Sequence, residues 1–117
     1  MIMFAFKVAP ALICGNTVVL KSSEKSPLSS LRLAELIKEA GFPSGVFNAV
    51  NGFGKTTGSA MALHQKIRKI SFTGSVATGK EILRMAADSN LKNVSLELGG
   101  KSPAVIFEDA DVAAAAR

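Results

Sequence analysis

With 117 residues, 48% of them hydrophobic and 20% charged, the chain has the make-up of one folded domain and not of a disordered tail. Its formal charge of +5 is spread along the sequence, with only Lys66, Arg68 and Lys69 clustered, and no Tyr or Trp offers a face to a base, which argues against a nucleic-acid binder. The one cysteine, Cys14, excludes an internal disulfide and a multi-cysteine metal site, and no apolar run reaches the roughly 18 residues of a membrane span.

Met1 to Leu12 is apolar enough to suggest a signal peptide, but no basic segment opens it and Lys7 interrupts it, so a buried helix is the better reading. The helix is expected to stop near Cys14-Gly15-Asn16, where glycine and asparagine tolerate a left-handed backbone. Cys14 itself reads as a small buried thiol. Thr17 to Leu20 follows as a β-branched, apolar strand. Ser26-Pro27 then signals a helix start, the serine as cap and the proline in the first turn, and this helix runs to Gly41. A turn at residues 41–45 leads to a second strand, Val46 to Val50. Asn51-Gly52-Phe53-Gly54 is a glycine-rich turn before a helix from about Thr56 to His64, and Ile67 to Phe72 is a third strand. Gly74-Ser75 opens a helix to about Ala87, Val94 to Leu98 is a fourth strand, and Ala104 to Phe107 is a fifth. Asp109 and Asp111 favour the start of a terminal helix.

Strands alternating with helices across short loops predict an α/β fold, a Rossmann-like parallel sheet with helices on both faces. Such sheets bind ligands at the carboxyl ends of their strands, where the loops 21–25, 51–58 and 73–79 lie. Gly74 to Lys80 matches seven positions of a phosphate-binding P-loop, but Glu81 stands where a Ser or Thr should hold magnesium. The more general feature survives: amides at a helix start, preceded by glycine, can hold a pyrophosphate, with Ser75 adding a hydroxyl and Thr78 and Gly79 in the same first turn. Gly52, Gly54 and Gly58 give a GxGxxxG spacing, which serves equally for tight turns. Lys21 and Glu24 follow the first strand, where they could meet ribose hydroxyls or form an exposed ion pair. Glu24 would repel a 2′-phosphate, whereas Lys21 and Ser23 could hold one.

Several stretches in this order resemble the aldehyde dehydrogenase superfamily: Pro10-Ala11-Leu12, Cys14 through Lys21, Lys38 through Pro43 with Gly45-Val46, Asn51 to Gly54, and Phe72 to Ser75. The most specific is Leu96-Glu97-Leu98-Gly99-Gly100-Lys101-Ser102-Pro103. The resemblance covers essentially the whole chain. It implies a partial aldehyde dehydrogenase fold: residues 1–117 as part of an NAD(P)-binding domain, running into the start of the catalytic domain near the carboxyl end. It also implies that Lys21 and Glu24 meet the adenosine ribose, that Gly54 and Gly58 lie beside the adenine, that Gly74 and Ser75 meet the pyrophosphate, and that Leu98 lies against the nicotinamide. Glu97 then corresponds to the general base that activates the hydrolytic water, a role that needs a carboxylate in a partly desolvated pocket. The bland role for Glu97 is a surface ion pair, perhaps with Lys101. Lys55 and Thr78 depart from the residues many relatives carry near the adenine.

The same resemblance places the nucleophilic cysteine beyond Arg117 and assigns Cys14 to a non-catalytic position. The chain is therefore expected to be a truncated piece of an NAD-dependent oxidoreductase, with NADP also admissible, that cannot oxidise aldehydes by itself. Its full-length form is expected to be a cytoplasmic homo-oligomer acting on a small aldehyde, without nucleic-acid or membrane partners. A second reading is a non-catalytic nucleotide-binding or interaction module. His64, near a helix end, is given no role.

Overall fold

A computed structural model describes residues 2–115. Helix α1 (Ile2–Ile13) is followed by strand β1 (Val18–Lys21), helix α2 (Leu28–Glu39) and strand β2 (Phe47–Val50). A π-helical turn at Gly54–Gly58 runs into α3 (Ser59–Leu63), and then come β3 (Lys69–Gly74), α4 (Val76–Asp88), β4 (Asn93–Leu98) and the short α5 (Val112–Ala115).

Both helix ends predicted from glycine close in the same way. At the end of α1, Gly15 takes φ +74°, its amide donates to the Leu12 carbonyl at 2.9 Å, and Asn16 donates to Ala11 at 3.0 Å. At the end of α2, Gly41 takes φ +85°, with Gly41 donating to Lys38 and Phe42 to Ile37. These paired bonds satisfy carbonyls that the helix leaves free, and they need a residue that tolerates the left-handed region. Pro27 has helical dihedral angles, but no side-chain bond caps α2, so the proline and not the expected serine cap sets this helix start. Asp111 does cap α5, through Oδ1 accepting from the Ala114 amide at 3.0 Å.

Every strand pairing is parallel, as an α/β fold requires, but the strands fall into two pairs and not one continuous sheet. β1 pairs with β2 from Val18↔Phe47 to Lys21↔Val50, and β3 pairs with β4 from Lys69↔Asn93 to Gly74↔Leu98. Helix α1 reaches both pairs: the Phe4 ring lies 5.7 Å from that of Phe47 on β2, and Lys7 Nζ donates to Ser71 Oγ on β3 at 2.9 Å. Helix α4 packs against β3, β4 and α3, burying Gly79, Ile82 and Ala86 along one stripe.

Three expectations are corrected. Helix α1 is not buried: Val8 alone among its described residues falls in the core, while Ile2, Phe6 and Ile13 are largely exposed, because no element among the described residues covers their face. Ala104 to Phe107 is not a strand; with no neighbouring edge to accept its amides, its β-branched character is not enough, and Val105 and Phe107 stand in solvent. The helix expected from Thr56 opens as a π turn, in which the Gly58 amide donates to the Phe53 carbonyl at 3.3 Å.

Candidate functional site

Within each parallel pair the strands send their carboxyl ends to the same side, and the candidate residues follow from that. β1 ends at Lys21, β3 at Gly74, and β4 at Glu97-Leu98. Because side chains alternate along a strand, Glu97 and Leu98 leave β4 on opposite faces.

Behind β1, Lys21 Nζ donates to the Ser22 carbonyl at 2.9 Å and lies 3.6 Å from Glu24 Oε2. Ser22 Oγ donates to Asn51 Oδ1 at 2.8 Å and so ties the loop after β1 to the loop after β2. Gly58 belongs to the same group: a Cβ there would stand 3.9 Å from the Lys21 methylenes. Lys21, Glu24 and Gly58 are thus brought together, whereas Gly54, four residues earlier, has open space where its Cβ would be. A hydrogen bond from its own backbone holds the exposed Glu24 carboxyl below the usual carboxylate range, slight desolvation opposes this, and the positive charge of Lys21 adds to the lowering. Of the two alternatives for this pair, the structure shows the ion pair, which stands just after the carboxyl end of β1.

At the end of β3, Ser75 is the N-cap of α4. Its Oγ accepts from the Thr78 amide at 3.2 Å and lies 2.9 Å from Thr78 Oγ1, and its carbonyl accepts from Gly79 at 3.0 Å. Ser75 and Thr78 are exposed at the head of a 13-residue helix, the place where a helix offers free amides and positive dipole to an anion. Gly79 faces the other way. It is buried over β4, and a Cβ there would come 3.1 Å from Leu98 Cδ2 and 3.4 Å from Leu96 Cδ1. Gly79 therefore lets α4 approach the strand closely, and Leu98 is propped from below by that approach.

Glu97 emerges on the opposite face, beside Ser71 and under α1. It lines a cavity of about 320 Å³ together with Met3, Phe6, Lys7 and Ser71. No ion pair joins it to Lys101 among the described residues. The cation that feels it is Lys7: burial pulls that amine below its ordinary pKa, and the charge of Glu97 offsets part of the pull. Sequence reasoning passed over Lys7 except as an interruption of an apolar run. The signal was that interruption, because a lone charge on a helix as apolar as residues 2–13 needs a polar partner, found here in Ser71.

Two remaining residues lie outside the site. Cys14 is exposed and not buried as expected, because it sits in the closing turn of α1 ahead of β1. His64 follows α3 and uses Nδ1 to accept from the Lys66 amide at 3.2 Å, a local turn contact. No group of three or more metal-ligating side chains occurs among the described residues, and no helix among them is long and apolar enough to cross a membrane.

Comparison with known proteins agrees with this geometry. The model of the aldehyde dehydrogenase family matches residues 1–117. An aldehyde dehydrogenase of Davidiella tassiana is 56% identical over 112 residues, which is 96% of this chain and 23% of that protein. Aldehyde dehydrogenase 1A1 of Gallus gallus is 59% identical over 116 residues, 99% of this chain and 23% of its own length. Among solved structures, PnpE in complex with nicotinamide adenine dinucleotide superposes with a TM-score of 0.88 at 52% identity, covering 97% of this chain and 23% of that one. An indole-3-acetaldehyde dehydrogenase complexed with NAD+ gives 0.89 at 50% identity, covering 93% of this chain and 22% of that one. The chain thus spans under a quarter of the length of these relatives. With the family match running over all 117 residues and relatives more than half identical to it, the chain belongs to the aldehyde dehydrogenase family.

Proposed function

We propose that residues 1–117 form part of the NAD(P)-binding domain of an aldehyde dehydrogenase, reaching the start of its catalytic domain, and that the whole enzyme oxidises an aldehyde to a carboxylic acid. The observation that supports this is the placing of Lys21 with Glu24 and Gly58, of Ser75 at the head of α4, and of Glu97 with Leu98 at the carboxyl ends of parallel strands. In this reading Lys21 and Glu24 bind the adenosine ribose, Gly54 and Gly58 leave room for the adenine, and the amides after Gly74, with the hydroxyls of Ser75 and Thr78, hold the pyrophosphate. Gly79 fixes the depth of that helix, and Leu98 packs against the nicotinamide. NAD is the fitting cofactor, because the negative charge of Glu24 disfavours a 2′-phosphate; Lys21 and Ser23 keep NADP usable. When bound, the nicotinamide accepts a hydride.

Glu97 takes the proton of the water that hydrolyses the acyl intermediate. Its exposed carboxylate lines the open cavity under α1 together with Lys7 and Ser71, which leaves room for that water molecule. Cys14, in the closing turn of α1 ahead of β1, does not line the cavity of Glu97 and does not supply the nucleophilic thiol, so the 117-residue chain alone carries a base without a nucleophile. The test is the full-length enzyme with Glu97→Gln. Turnover is expected to fall by about 10²- to 10⁴-fold, the usual contribution of a general base, while NAD affinity measured by calorimetry stays unchanged. Wild-type turnover in that variant would remove the assignment, as would clear aldehyde oxidation by the 117-residue chain.

A further inference from the structure

We propose that Ser22 and Asn51 are positioning residues for the adenosine end of the dinucleotide: their hydrogen bond is a latch that holds Lys21 and Glu24, at the end of β1, against Gly58, beyond β2. This rests on the cofactor reading given above. The backbone ladder between the two strands ends at Lys21↔Val50, so Ser22 and Asn51 are the next residues on either side, one step beyond it. There Ser22 Oγ donates to Asn51 Oδ1 at 2.8 Å, the one side-chain hydrogen bond among the described residues that joins these two loops. Segments beyond the end of a ladder are more mobile than the strands themselves, so a bond at the exit restricts how far the loops part.

Each end of the latch is tied to a group of the proposed ligand site. On one side, the Ser22 carbonyl accepts from Lys21 Nζ at 2.9 Å, and Glu24 Oε2 stands 3.6 Å from the same amine. On the other, Asn51 precedes Gly52, which has φ +148° and sits so close to Thr57 that a Cβ there would collide with the Thr57 hydroxyl. Thr57 is followed by Gly58, where a Cβ would lie 3.9 Å from the Lys21 methylenes. The contacts therefore run in a closed circuit, from Lys21 through Ser22, Asn51, Gly52, Thr57 and Gly58 back to Lys21. Neither latch residue is assigned a contact with the ligand; both act through Lys21, Glu24 and Gly58. Opening the circuit at the Ser22–Asn51 bond frees the loops before the ligand arrives, and binding must then supply the ordering.

The test is a double-mutant cycle in the full-length enzyme, with dissociation constants for NAD and for AMP measured by calorimetry. Ser22→Ala and Asn51→Ala are each expected to weaken both ligands by about three- to ten-fold, the size of one net hydrogen bond. The double variant should be no weaker than either single variant, because the two changes remove the same bond. Ser22→Thr keeps the hydroxyl and should bind both ligands as the wild type does. In the alanine variants the KM for NAD should rise while turnover at saturating NAD does not fall. Losses that add in the double variant, wild-type affinity in both single variants, or an equal loss in Ser22→Thr would each overturn the latch. A wild-type enzyme that binds neither NAD nor AMP would remove the cofactor site itself, and the latch with it, an outcome distinct from NAD binding with additive losses.

Discussion

Lys7 shows how one side chain can carry an energetic cost that titration reveals. Its folded-state pKa is lowered, so between that value and the ordinary lysine value of 10.5 the unfolded chain binds more protons than the folded one. Stability should therefore rise as pH increases through that window, the reverse of what a lysine held in a strong ion pair would give. Urea unfolding at stepped alkaline pH measures this, and Lys7→Met should flatten the rise; an unchanged slope in the variant would show that another group is responsible. Glu24 gives a dependence of the same sign, but in the acid range. Its carboxyl is held below its ordinary value, so its stabilisation is present above the unfolded pKa and lost as pH falls through the folded one. Neither behaviour was legible from residue type. Lys21 and Glu24 announced themselves through their place after an apolar strand, whereas Lys7 has its partners 64 and 90 positions away, at Ser71 and Glu97, a separation that local pattern does not report.

Elements were legible where the backbone itself demands a residue. Gly15 and Gly41 mark helix ends because both adopt positive φ, and the two closing motifs followed as expected. Ser75 was likewise readable as the start of α4, since a cap needs an oxygen one position ahead of the helix. Ser75→Ala should cost about 1 kcal/mol of stability by removing the bond to the Thr78 amide, and in the full-length enzyme it should also weaken NAD binding. Thermal unfolding and calorimetry read the two effects, and Ser75→Thr should restore most of both. Elements were misread where a partner decides. The run Ala104 to Phe107 has strand composition but no adjacent edge, and Gly54 to Gly58 adopts a π turn because glycines there leave the hydrogen-bond register loose.

At the scale of the molecule the fully buried side chains are few. Val8, Ala62, Ile82 and Ala86 are the buried apolar ones among the described residues, and the radius of gyration of 17.9 Å exceeds the about 13 Å typical of a compact chain this long. Lys92 is buried among them, and its ammonium donates to the Ala62 carbonyl in α3 and to Ser89 Oγ after α4. It therefore fastens two helix ends beside the start of β4, where their negative dipole ends suit a cation. Lys92→Met keeps the length of the side chain but not its donors, and should lower unfolding stability by about 1–3 kcal/mol in a denaturant titration; a loss within error would mean that packing of the methylenes alone holds that junction. The alternation of strand and helix was enough to foresee parallel pairing, but not the division of the strands into two pairs, which depends on neighbours in space. That division has a practical consequence. Each ribbon keeps lateral rows of amides and carbonyls that bond to no other strand among the described residues, and such rows act as templates for further chains. Concentrated solutions of the isolated polypeptide will thus tend toward lateral fusion into oligomeric or fibrous material, and dilution will be the first requirement of any work with it.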